Sequence, residues 1–349
     1  MTHPVIICSD YTTSLLTAVN EIAPANIILI TDSNIESLHA HTVINTLKKA
    51  GFCSHLLTVK AGESSKSRDT KAWLEDTMAD YGCGRDTLLI GLGGGMITDL
   101  AGFVAATYCR GIPFIALPTS LMGMVDASLG GKNGINTPHG KNKIGSIRPP
   151  HAVIIDPSFL ETLPFDEYHM ALSEVVKHAL IADQDLFDFL QTNIRAILAK
   201  DKSCIAIMIE RSVAIKMDVV NADAHEINQR EILNFGHTIG HAIEQASNYT
   251  VSHGEAVAIG LLYESRLSHN MGHLSKHSLD AIESLLSELG LLKRDHNFSP
   301  INILEALQHD KKKRGECIRC VLLASIAEPL TINASYAQAI SLTQLKQIF

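Results

Sequence analysis

The chain has 349 residues, 46% hydrophobic and 19% charged, with a formal net charge of −8. This excludes a disordered chain, allows two domains, and excludes nucleic-acid binding driven by bulk positive charge. No apolar run reaches the length of a membrane span, the N-terminus shows no basic region with a cleavage site, and the seven scattered cysteines suit free thiols, so the expected setting is a reducing cytoplasm.

Val5–Cys8 and Asn26–Thr31 are apolar, β-branched runs that read as buried strands. Helical spacing follows over Ile35–Gly51. Then come a strand at Cys53–Val59, a helix at Ser67–Gly82, and strands at Thr87–Ile90, Ile112–Leu117 and Ala152–Ile155. Strands alternating with helices predict a parallel sheet with covered faces and ligands beyond the carboxyl ends of its strands. Asp32 follows the second strand, where an acid either holds a ribose hydroxyl or caps the next helix.

After Thr87–Ile90 the sequence reads Gly91-Leu92-Gly93-Gly94-Gly95, then Met96-Ile97-Thr98-Asp99 and an apolar helix. Glycines at a strand-to-helix turn let a phosphate approach the backbone and the positive helix end. Met96 departs from the GxGxxG spacing, and a tight, closely packed turn is the alternative. Further on, 127–155 carries Lys132, Lys141, Lys143 and Arg148 with no Asp or Glu, and is rich in glycine. It reads as basic loops, either solvated or forming an anion site in a cleft wall.

Past Asp156-Pro157 the pattern becomes helical: Asp166–Leu198, Cys204–Asn221, Ile239–Ala246, Glu255–Asn270 and Ser278–Leu289. Strand signals return only at Cys320–Ala324. A boundary near Leu163-Pro164 divides the chain into domains 1–163 and 164–349. The charged run Asp310–Gly315 reads as a solvated loop, unless it closes over an anion. The lone pair Cys317 and Cys320 predicts no metal site without a second pair.

His237 and His241 stand four apart, on one face of a helix, and His253 follows a polar break. Three such imidazoles can converge on a transition metal. In a chain with 17 histidines, ordinary surface or core positions are the alternative. Glu174 is an acid among apolar neighbours, so it needs a partner or a metal. Pairing with Lys177 or His178 satisfies it, and so does joining His237 and His253 in a Glu-His-His set of the catalytic zinc type. Lys216, Arg230 and Asn234 add polar groups nearby. Positions 230, 234, 237 and 241 share a face only if the helix runs through Gly236.

The segments GGGMITDLAGFVAATYCRG, PTSLMGMVDASLGGKNGIN, GKNKIGS, SEVVKHALI, ILNFGHTIGHAIE and SHGEAVAIG are long and specific in combination. Through them the chain resembles, from about Asp32 to Ile326, the 3-dehydroquinate synthases. These are sugar-phosphate cyclases of the shikimate pathway, which leads to chorismate and the aromatic amino acids. The resemblance implies a Rossmann-like, NAD-binding α/β domain, an all-α metal- and substrate-binding domain, and a homodimer. The implied cofactors are NAD and Zn2+, with Co2+ as a substitute. The implied reaction converts an anionic sugar-acid phosphate, 3-deoxy-D-arabino-heptulosonate 7-phosphate, to 3-dehydroquinate and phosphate. It proceeds by NAD-dependent oxidation, phosphate elimination, re-reduction and intramolecular aldol closure. No nucleic acid or membrane is implied as a partner.

Carried over by motif, the metal ligands are Glu174, His237 and His253. His241 is left to act as an acid/base or hydrogen-bonding group at the reacting hydroxyl. The implied NAD contacts fall on Glu63 and Lys66, on Gly95, Met96, Ile97, Thr98 and Asp99 beyond Gly94, on Thr119 and Ser120, on Lys132 and Lys141, and on Phe159, Leu160, Glu161 and Thr162. Those to substrate fall on Arg110, Asp126, Lys132, Lys141, Asn142, Lys177, Lys216, Arg230, Asn234 and Lys312. Asn133 and His178 depart from the family's usual Thr and Tyr, and the loop around Lys312 is one residue short. The rival expectations are another cyclase, of the 2-deoxy-scyllo-inosose or valiolone type, and a metal-dependent polyol dehydrogenase.

Overall fold

The structure, a computed structural model, describes residues 3–223, 228–292, 300–314 and 318–348, with 300 and 309–314 described by backbone alone. The chain divides into two compact units, Met1–Pro164 and Phe165–Phe349.

The first unit contains strands β1 (Val5–Ile7), β2 (Asn26–Asp32), β3 (Ser54–Val59), β4 (Thr87–Gly93), β5 (Phe114–Pro118), β6 (Lys132–Thr137), β7 (Gly140–Ile147) and β8 (Ala152–Ile155). Six of them form one parallel sheet in the order β1-β8-β5-β4-β2-β3. Ile27 to Ile30 of β2 and Leu88 to Ile90 of β4 are fully buried, as expected where both sheet faces are covered. From β2 the chain goes to β3 on one side and returns to β4 on the other, so the strand order reverses between β2 and β4. Parallel strands place all their carboxyl ends on one edge, and the reversal opens a crevice there.

Two expectations are corrected in this unit. The fourth strand continues past Ile90 to Gly93, because glycines fit where neighbours press close. A Cβ on Gly91 would stand 3.0 Å from Ala101 and 3.1 Å from Phe114. The basic segment is a hairpin of β6 and β7 rather than loops, paired from Lys132↔Ile147 to Thr137↔Gly140. Its glycines belong largely to the strands. Gly134 and Gly145 face each other in register, with no room for a side chain on either.

The second unit is built mainly of helices: Phe165–Ala182, Gln184–Thr192, Ile194–Leu198, Lys202–Ala222, His237–Ala246, His253–Asn270, Lys276–Glu288 and Pro300–Arg314. The single helix expected over Asp166–Leu198 is interrupted at Asp183, whose carboxylate accepts from Leu186 N–H at 2.9 Å and starts a new helix. Residues 310–314 continue a helix in place of the expected loop. Two short antiparallel pairs are added, Ile318–Val321 with Ala337–Ile340 and Leu323–Ser325 with Glu328–Pro329. Ile239, Ile243, Leu267, Leu307 and Leu322 belong to one core cluster here. Among the described residues, no helix is long and apolar enough to cross a membrane.

Candidate active site

In the α/β unit most residues expected at a cofactor lie at or beyond strand ends on one edge of the sheet, while Lys132 and Lys141 lie on the β6–β7 hairpin. Asp32 ends β2, Glu63 and Lys66 follow β3, Gly94 to Asp99 follow β4, Thr119 and Ser120 follow β5, and Phe159 to Thr162 follow β8. Gly94 is the N-cap of the Gly95–Thr107 helix and carries no side chain to occupy its first N–H groups, which suits an anion. Thr119 N–H donates to Gly93 O at 2.9 Å and holds the β4 and β5 ends together. Of the two readings of Asp32, the structure shows the cap: Oδ1 accepts from Asn34 and Ile35 N–H. Phe159 stacks on Tyr11 at 5.2 Å, and Thr162 Oγ1 lies 2.7 Å from His39 Nε2.

The hairpin joins this edge through a polar network. Buried Lys66 places Nζ 2.5 Å from Asp99 Oδ2 and 2.6 Å from Asn142 Oδ1. Asn136 donates its backbone N–H to Lys66 O and its amide to Glu63 Oε1. Burial pushes the Asp99 carboxyl up to about 6, although the Lys66 ammonium pulls the other way. At the hairpin neck, Asn133 donates to Gly131 O and Arg148 O, both at 3.0 Å. Its Oδ1 fills the place of an absent side chain at Gly102. The departure at 133 is thereby an internal hinge-pin of the hairpin. Arg110 sits in a left-handed conformation, φ 66°, and Asp126 lies in the turn Gly123–Ala127.

In the helical unit, Glu174, His237 and His253 converge, their ligand atoms all within 4.8 Å of one another. Glu174 is fully buried. Its Oε1 is 3.3 Å from His237 Nε2 and 3.4 Å from His253 Nε2, and Oε2 meets Lys177 Nζ. Two ligands of a tetrahedral zinc with bonds of about 2.0–2.1 Å stand about 3.3–3.4 Å apart, the spacing that Glu174 keeps to each imidazole, so this mixed N/O set suits the ion. The remaining ring nitrogens face acceptors: His237 Nδ1 is 3.2 Å from Phe235 O, and His253 Nδ1 is 3.5 Å from Glu244 Oε2. Such partners orient metal-binding imidazoles and fix their tautomer. His241 is the exposed third ring, its centroid 5.4 Å from that of His237.

Burial alone would raise Glu174, but Lys177, His237 and His253 hold it well below the usual carboxylate range. Burial lowers His253, but hydrogen bonds to Glu174 and Glu244 carry it up to about 9. These bonds favour the protonated ring, so a cation held by His253 would have to displace that proton.

Close backbone contacts bring together the three helices that carry Glu174, His237 and His253. A Cβ on Gly254 would lie 2.2 Å from Met170 O, on the helix that carries Glu174. One on Gly260 would lie 1.9 Å from Gly236 O, beside His237. Gly236 has φ 78°, so the 3-10 turn Gln229–Asn234, which holds Arg230 and Asn234, does not continue into the His237–Ala246 helix. Positions 230 and 234 therefore do not share its face. Arg230 and Lys216 are nevertheless buried. The side chain of Lys312 lies outside the described residues, as does Cys317.

Sequence reasoning missed Glu244 and Glu264. Each is a buried acid in an apolar helix, the same signal that singles out Glu174. Glu264 accepts from Gly236 and Ile239 N–H, and burial pushes it up to about 8 despite these bonds.

Residues 56–170 match the family model described as 3-dehydroquinate synthase N-terminal, and residues 171–313 its C-terminal counterpart. The 3-dehydroquinate synthase of Geotalea uraniireducens is 42% identical over 287 residues, covering 82% of this chain and 80% of that one. The chain belongs to the 3-dehydroquinate synthase family. Among solved structures, a 2-deoxy-scyllo-inosose synthase complexed with carbaglucose-6-phosphate, NAD+ and Co2+ superposes with a TM-score of 0.91 at 27% identity, covering 99% of this chain and 95% of that one. The 2-epi-5-epi-valiolone synthase ValA from Streptomyces hygroscopicus, with NAD+ and Zn2+ bound, gives 0.88 at 26%, covering 100% and 96%. Family membership thus stands on more identity than either rival cyclase shares with this chain.

Proposed function

We propose that the protein is a 3-dehydroquinate synthase, which converts 3-deoxy-D-arabino-heptulosonate 7-phosphate to 3-dehydroquinate and phosphate. The convergence of Glu174, His237 and His253, in a chain 42% identical to a curated member of this family, carries the reading. The α/β unit is the NAD-binding part, and the helical unit binds metal and substrate. When bound, NAD supplies a hydride acceptor that is restored within the cycle, and zinc supplies Lewis acidity at the substrate's hydroxyl oxygen.

The chain's own residues do the rest. Glu174, His237 and His253 hold the ion, and Lys177 balances the buried carboxylate between them. His241, the exposed ring, hydrogen-bonds the reacting hydroxyl and takes or returns its proton. The N–H groups after Gly94 bind the cofactor's phosphates, and Lys132 and Lys141 face the anions. Asn142, Arg110, Asp126, Lys216, Arg230, Asn234 and Lys312 are proposed to orient the substrate. Their cationic members explain how an acidic protein binds a doubly anionic ligand.

Mixing the protein with NAD+ and the heptulosonate phosphate tests this. Dehydroquinate and phosphate form without net NADH. Steady NADH accumulation with a simple polyol points instead to a dehydrogenase, and cyclisation of glucose 6-phosphate or sedoheptulose 7-phosphate to a rival cyclase. The family resemblance also supports a cytoplasmic homodimer, and a single-chain mass in sedimentation overturns the dimer.

A further inference from the structure

We propose that Glu264 is a positioning residue that holds His237 in place for metal binding. The helix that begins at His237 has no local cap: Gly236 precedes it in a left-handed conformation and brings no side chain. Helix starts leave N–H groups without intrahelical partners, and in a buried setting those groups need acceptors. Glu264 supplies them from a separate helix. Its Oε2 accepts from Gly236 N–H at 2.7 Å and its Oε1 from Ile239 N–H at 3.2 Å. His237 lies between these two donors in sequence, so the carboxyl clamps the turn that carries the imidazole.

Glu264 belongs to the His253–Asn270 helix. One side chain therefore ties the first turn of one ligand-bearing helix to the body of the other. The two helices meet at glycines: a Cβ on Gly240 would stand 3.1 Å from Ala256 O, and one on Gly260 would overlap Gly236 O. Glycine contact sets how near the helices come, but it leaves them free to slide and rotate. A carboxyl bonded to two N–H groups on the facing turn removes that freedom and fixes the separation of His237 from His253. Glu264 is fully buried and its bonds run to the turn that carries His237, so its action is through His237.

This inference rests on the metal reading of Glu174, His237 and His253. The test is zinc affinity of the purified apo-protein, by competition with a chromophoric chelator, in wild type, Glu264→Gln and Glu264→Asp. Gln keeps one acceptor but turns an NH2 toward the other N–H, and Asp is one methylene too short. Both variants lose about 10- to 100-fold in zinc affinity, in the range found when groups orienting metal ligands are removed. The rise in Tm on adding saturating zinc shrinks in the same variants, and the visible spectrum of the Co2+ form shifts. A role in folding alone lowers the Tm of apo and zinc-loaded forms equally and leaves zinc affinity unchanged, which overturns the proposal. If Glu264→Gln does not fold, Glu264→Asp carries the measurement. Failure of wild type itself to bind zinc overturns the metal reading and the role of Glu264 together. Tight wild-type binding with unchanged variants overturns Glu264 alone.

Discussion

The two units build their sites by opposite means. In the α/β unit the sheet topology does the gathering: parallel strands deliver backbone N–H groups and short polar segments to one edge. Side chains such as Lys66, Asp99, Asn136 and Asn142 then bond mainly to each other. In the helical unit no topology rule brings Glu174, His237 and His253 together. They meet because glycines let three helices touch backbone to backbone, so each side chain depends on a contact elsewhere. The first kind of site is expected to tolerate change at single side chains, and the second to fail when a contact opens.

The largest effect tests that second kind directly. His237→Ala removes a ligand and is expected to lower zinc affinity by more than about a hundredfold, abolishing turnover while most folding is retained. Full zinc occupancy with normal turnover in the variant ends the metal assignment. Next comes Gly254→Ala, which pushes a methyl into Met170 O. Overpacking against backbone costs about 1–3 kcal/mol, read as a lower urea midpoint, with zinc affinity falling alongside. An unchanged midpoint shows that the helices can separate without harm.

Effects in the α/β unit are smaller. Lys141→Ala is expected to weaken substrate or NAD binding about tenfold, or about 1.4 kcal/mol. Unchanged KM and NAD affinity count against a role for the hairpin in anion binding. Gly102→Ala meets the Asn133 side chain and not backbone. Helix propensity favours the change by about 1 kcal/mol, while displacing Asn133 risks two bonds worth about 1 kcal/mol each. Near-neutral stability with faster hydrogen exchange in the hairpin is the expected outcome, in contrast to Gly254→Ala.

The pH dependence separates the units as well. The pKa of His253 is raised to about 9 in the folded protein. Its contribution to stability without metal is complete below about 6.5 and is lost as pH rises through about 9. Since the metal must displace that proton, zinc affinity climbs about tenfold per pH unit from neutrality and levels above about 9. An affinity flat across that range contradicts a charged His253 in the apo site. Asp99 is also raised, to about 6, so its contribution is complete below about 3.9 and lost as pH rises through about 6, an acidic window distinct from that of His253.

The same contrast explains what could be read from sequence. The strands and the glycine turn were legible because β-branched runs and punctuating glycines act over a few residues. Glu174 was legible as an acid set among apolar neighbours, and His237 and His241 by spacing. The hairpin was not, because Gly134 and Gly145 look like loop glycines until the strand facing each is known. The break at Asp183 was hidden because a capping Asp also looks like a surface residue in a long helix. The Gly254 contact with Met170 joins positions far apart in sequence, and no local pattern records it. Glu264 carried the right signal, but its meaning depends on knowing which helix start lies against it.

The Lys66 ammonium is shared between Asp99, expected at the cofactor, and Asn142, expected at the substrate. Two ligands that each disturb one of these bonds cannot bind independently. If binding one of them changes the affinity for the other, the coupling free energy is the same in both directions. A single buried amine is thus placed to couple the affinities of the two expected ligands.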